Sequence, residues 1–193
     1  MKPPVNQTLR ALRSQADPVK AWSKIIQLCR KAMPEAPWDS LPTPDMARDI
    51  EAATQWLSGE LAHRTDVTGV YLGLDTLNMD EGEGRNVEIG MTPECDAGKD
   101  EMDWVYAGNL RYGEGHLING LYELQREYSG EPWEEAFSLC DYILFLGYSG
   151  IVLSQALMRL PSLSTFLVVW GFHDGDLLAL GRKSDSAFTL ICK

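Results

Sequence analysis

The first third of the chain repeats apolar residues every three or four positions. Val19, Trp22, Ile25, Ile26, Cys29 and Met33 follow Asp17 and Pro18. An N-cap aspartate with proline at the first helical position predicts an amphipathic helix here. Pro34, Pro37, Pro42 and Pro44 then break the chain. Thr43 and Pro44 repeat the start signal for a helix running to about His63, with Met46, Ile50, Ala53, Leu57 and Leu61 inward. A short additional helix is expected near Gln7 to Ser14.

From Val67 the period changes to two. Val70, Leu72 and Leu74 alternate with Tyr71, Gly73 and Asp75, and Val87, Ile89 and Met91 alternate with Glu88 and Gly90. Two strands are predicted. A glycine-rich acidic turn, residues 78–85, lies between them, and a second acidic loop, residues 92–103, leads to a third expected strand, WVYAGNL at 104–110. Charge and glycine resist burial, so both loops are expected to lie exposed. Leu117, Leu121 and Leu124 predict a helix within residues 115–128. A further helix starts near Pro132 and passes Phe137, Cys140, Ile143 and Leu144, with Gly147 and Gly150 expected to bend or interrupt it. Beyond Pro161 the pattern predicts a three-stranded meander, whose first turn, His173-Asp174-Gly175-Asp176, contains the Asp-Gly step of a tight hairpin.

No internal repeat and no long linker divides the 193 residues, which predicts one domain, helical over 1–66, mixed over 67–160 and a β-meander over 161–193. Helices, strands, helices and strands in that order predict an α+β fold: an antiparallel sheet of about six strands with helices packed over one face. The stretch 142–160 has the length of a membrane span, but Ser149, Ser154, Gln155 and Arg159 interrupt it. It is read as a buried core helix. The amino terminus lacks the apolar core of a secretory signal, and Cys29, Cys95, Cys140 and Cys192 lack the short spacings of a zinc site or redox pair. A cytoplasmic protein without a membrane partner is expected.

The formal net charge of −11 makes nucleic acid an unsuitable direct partner, because phosphate binding needs clustered Lys and Arg. Residues 75–103 hold ten acidic and two basic side chains, a net of −8, whereas residues 1–74 hold eight and nine. Concentrating like charge in two loops costs self-repulsion, and a basic partner offsets that cost while being steered toward the surface. Asp75, Asp80, Glu81, Glu83, Glu94, Asp96, Asp100, Glu101 and Asp103 form the expected contact surface, with Trp104 as an aromatic anchor ringed by charge.

Recognisable catalytic chemistry is sparse. There is no GxSxG elbow, phosphate-binding GxxxxGK[ST] loop, HExxH or GxGxxG after a strand, and the acidic turn lacks the ligand order of a calcium loop. No cofactor or metal is expected. Of His63, His116 and His173, the last stands with Asp174 and Asp176 in the best local cluster. Two alternatives therefore stay open: an enzyme with a dispersed site around His173, Asp174 and Asp176, or a scaffold module for a basic peptide. Trp22 and Trp170 read as core, and Trp38 and Trp104 as partly exposed.

In size, acidity, α+β layout and the carboxyl-terminal segment VVWGFHDGDLLALGRK, residues 168–183, the chain resembles bacterial immunity proteins. These are the cytosolic antidotes to toxins delivered by contact-dependent or type VI secretion systems. The resemblance implies a stoichiometric inhibitor that covers its toxin's active site or substrate path. Charge makes a basic nuclease domain the expected toxin.

Overall fold

Among the residues that the computed structural model describes, 5–13, 17–75, 86–99, 101–107, 109–128, 134–161, 164–173, 177–185 and 187–191, the helical first third forms as its periodicity predicts. It comprises α1 (Val5–Arg13), α2 (Pro18–Ala32) and α3 (Met46–Leu61). The Asp17 carboxylate accepts from the backbone N–H groups of Val19 and Lys20 and caps α2. Asp45, rather than Thr43, caps α3 through the N–H of Arg48. The helix ends before His63, whose φ of 62° is left-handed and cannot continue it.

The remainder supplies β1 (Gly69–Leu74), β2 (Val87–Thr92), β3 (Arg111–Tyr112), α4 (Asn119–Tyr128), α5 (Glu134–Arg159), β4 (Phe166–Phe172), β5 (Leu177–Lys183) and β6 (Phe188–Leu190). The fold is α+β, with one six-stranded sheet in the order β3-β2-β1-β4-β5-β6. Four neighbouring pairs are antiparallel, as expected, but the central pair β1–β4 is parallel, with Gly69 opposite Leu167 and Leu74 opposite Phe172. A parallel pair needs a crossover, and α5 provides it. This pairing joins strands about ninety residues apart, so no local pattern announces it.

Three other expectations change. The segment 104–110 is not a strand: Asp103–Val105 forms a 3₁₀ turn, and the third strand is the two-residue β3. Consecutive strand residues face opposite ways, whereas the turn lets Met102, Trp104 and Val105 all pack toward the sheet. Helix α4 begins later than expected because Asn86, buried at the start of β2, donates to the Ile118 carbonyl and accepts from the Ile118 N–H, both at 2.8 Å. Residues before α4 thereby extend the ladder, with His116 bridging Val87. Helix α5 is continuous through Gly147 and Gly150. A side chain at 147 would stand 2.9 Å from Ile25, and one at 150 would stand 2.8 Å from Leu12 and 3.1 Å from Trp170. These glycines admit neighbours instead of bending the helix.

Helices cover one sheet face, where Val70, Leu72, Leu74, Ile89, Met91, Val168 and Trp170 join the main core. The stretch Cys140–Arg159 is long and apolar enough to cross a membrane, but most of it is buried inside this fold. Lys183, also buried, donates from Nζ to the Leu160 carbonyl at 3.0 Å, just beyond the end of α5, where a cation meets the negative end of the helix dipole.

A buried carboxylate ties three helices together. Asp49 on α3 accepts on Oδ2 from the Tyr148 hydroxyl of α5 and from the Gly120 N–H at the start of α4, both at 2.8 Å. Burial, reinforced by Asp49, pushes the Tyr148 phenol far above its ordinary value, so it remains a donor. Asp49→Ala is expected to cost about 3 kcal/mol in urea unfolding, because both donors are left buried without an acceptor. Tyr148→Phe should cost less, and the double variant less than the sum of the two.

Candidate interaction surface

The second sheet face has its own small core. Tyr71 on β1, Leu167 and Val169 on β4 and Ala179 on β5 gather with Cys95, and Met102, Trp104, Val105 and Leu110 pack down upon them. The chain between β2 and β3 is therefore a cover, folded across the sheet. Gly69 permits it: a Cβ there would lie 2.7 Å from Cys95 Cβ and 3.1 Å from the Trp104 ring. Burial pushes the Cys95 thiol up to about 11 and keeps it protonated at neutral pH.

Apolar anchoring fixes the carboxylates that the same segment carries. Glu94, Asp96, Glu101 and Asp103 are exposed, whereas Trp104 is half-buried and donates from Nε1 to the Glu101 carbonyl at 2.9 Å. Much of the Trp104 ring is thus committed to the protein's own second core. Asp96 accepts from the Gly98 N–H at 3.0 Å and lies 3.4 Å from Lys99, and Glu94 accepts from Asn109 at 2.8 Å. These contacts hold the loop's form without removing its charge from water.

Among the described residues of the expected acidic surface, Asp75 stands apart from the others. Residue Leu74 pairs with Val87 at one end of the β1–β2 hairpin and Gly69 with Thr92 at the other, so exposed Asp75 and Glu94 project from opposite ends. Six residues at about 3.4 Å per residue separate them by roughly 17 Å or more. Asp80, Glu81 and Glu83, which follow Asp75, lie outside the described residues, as does Asp100. The surface that the structure brings together is Glu94, Asp96, Glu101 and Asp103.

Of the histidine cluster, only His173 is among the described residues. His173 Nδ1 lies 3.0 Å from Glu88 Oε1, a partner from β2, while Asp174 and Asp176 lie outside the described residues. Both side chains are open to solvent, 61% for His173 and 37% for Glu88. Strand alternation turns Phe172 toward the helices and His173 away from them, so the crevice of about 10 Å³ bordered by Leu74 and Phe172 lies on the other sheet face from this pair. Among the described residues, no three His, Cys, Asp or Glu are grouped to hold a metal ion.

His116 is a packing residue: it stacks on Trp56, with ring centroids 4.9 Å apart, and burial lowers its basicity, partly opposed by Asp49. Trp38 is buried rather than partly exposed, its Nε1 donating to the Met33 carbonyl at 2.6 Å. Compared with protein-family models, curated proteins and solved structures, the chain gives no match. The fold and surface define an α+β protein with an acidic cover on its second sheet face.

Trp104→Ala is expected to cost about 2 kcal/mol, roughly half the value for a fully buried tryptophan, and to open residues 93–107 to protease while Trp104→Phe does so less. His116 provides a pH test. Its folded-state pKa lies below the ordinary 6.5, so the unfolded chain takes up the proton first and stability falls as pH drops below 6.5. Urea midpoints at pH 7.5 and 5 should converge more closely in His116→Gln than in the unmodified protein.

Proposed function

We propose that the chain acts by occupying a basic partner protein, as an immunity protein that neutralises an antibacterial toxin whose cationic groove serves a nuclease reaction. The observation that carries this reading is the acidic cover: Glu94, Asp96, Glu101 and Asp103 are exposed on a segment fastened to the sheet by Met102, Trp104 and Val105. A fixed array of carboxylates loses little conformational entropy on binding and steers a cationic partner from a distance. A groove built for phosphate presents the complementary charge. Inhibition then comes from covering that groove, with no bond made or broken on this chain.

The test uses the product of the reading frame beside this chain, which the proposal expects to be a secreted toxin with a basic carboxyl-terminal domain. Co-expression should restore growth, and the purified pair should associate rapidly at low salt. Reversing Glu94, Asp96, Glu101 and Asp103 to Lys together should slow association at least tenfold and flatten its salt dependence, while loss of the exposed Asp96 and Glu94 contacts costs about 1 kcal/mol or less each in urea unfolding. Asp75→Lys, at the other end of the hairpin, should alter the rate much less. An unchanged rate in the fourfold variant, or growth that co-expression does not restore, would overturn the reading.

A further inference from the structure

The near-neutral balance of residues 1–74 conceals a strong local asymmetry. Residues 5–33 carry six basic side chains, Arg10, Arg13, Lys20, Lys24, Arg30 and Lys31, against Asp17 alone. Residues 34–74 carry seven acidic and two basic ones, which cancels the excess in any sum over the whole stretch. The cationic part is a pair of adjacent helices, α1 and α2, in the layer on the sheet face opposite the acidic cover.

Between these helices runs an open groove of about 410 Å³. Lys24, Gln27, Leu28 and Lys31 follow one another along α2 at helical spacing and face Gln7, Arg10 and Ala11 of α1. Ala11 is buried and Leu28 half-buried, giving the groove an apolar floor, while Arg10 and Lys31 stand exposed at its rim. We propose that this groove docks an acidic amphipathic helix of a partner protein. Lys24 and Lys31 are two helical turns apart, about 10.5 Å at 1.5 Å per residue, the spacing of carboxylates seven residues apart on a helical ligand. An apolar floor between cationic rims suits a ligand with an apolar stripe flanked by Glu or Asp. Single-stranded nucleic acid fits less well, since its bases stack on aromatic rings and no aromatic side chain is among the described residues lining the groove. The site is separate from the acidic cover and does not rest on the toxin reading.

The probe is an 18-residue synthetic helix with a leucine stripe flanked by glutamates at seven-residue intervals, labelled for fluorescence anisotropy with the full chain. Its affinity should exceed that of a scrambled peptide of the same composition at least tenfold. Lys24→Glu with Lys31→Glu should lower it at least tenfold, and Arg10→Gln, an exposed change that leaves folding intact, at least threefold. Equal binding of the scrambled peptide, unchanged affinity in Arg10→Gln, or tighter binding of an oligonucleotide of equal charge would overturn the proposal.

Discussion

The central strands β1 and β4 are buried on both faces, and much of the structure follows from that constraint. Every residue of β1 is buried, and β4 is buried from Phe166 to Gly171. One face receives the helices. The other, carrying Tyr71, Leu167 and Val169, also needs a cover, because leaving a large apolar side chain in water forfeits roughly 1.5–3 kcal/mol. An exposed charge contact is worth about 1 kcal/mol at most. Apolar anchoring therefore outweighs repulsion among the carboxylates, and the chain after β2 lies down on the sheet with its acids turned outward.

The helical layer is registered by polar groups at a few fixed points. Asp49 orients α3, α4 and α5 around one carboxylate oxygen, Asn86 fixes where α4 can start, and Lys183 holds the end of α5 against the meander. Apolar packing is weakly directional, whereas each of these bonds has a set length and angle. Loss of one partner strands the other away from water, so such groups specify an arrangement more sharply than they stabilise it. The same division of labour holds on the second face, where Met102, Trp104 and Val105 give adhesion and the Trp104 to Glu101 bond gives orientation.

Much of this architecture was legible in the residues. The Asp17-Pro18 cap, the heptad-like spacing along α2 and α3, the alternation in β1 and β2 and the six-stranded α+β plan all follow from local periodicity. What escaped was non-local. The parallel β1–β4 pair depends on a crossover through α5, and the continuity of α5 depends on Ile25, Leu12 and Trp170 lying against its glycines. The acidic loop looked wholly exposed because its charges outnumber its apolar residues, yet Cys95, Met102, Trp104 and Val105 suffice to fasten it. Trp104 next to Val105 without alternation was the available signal. The cationic groove was hidden by averaging over 1–74, since helical spacing and not sequence length decides which charges share a face.

A protein with a fixed acidic cover on one side of its sheet and a cationic helix pair on the other is polarised across its own core. The sheet lies between the acidic cover and the cationic pair α1 and α2. The most direct test of this account is native-state hydrogen exchange on the free protein at the cover. The N–H groups of Lys99, Val105 and Tyr106 donate to the carbonyls of Asp96, Met102 and Asp103. Slow exchange at all three, lost only with opening of the second core, is the predicted result. Exchange at the rate of an unstructured peptide would mean that the carboxylates are not held in place, and would contradict the account.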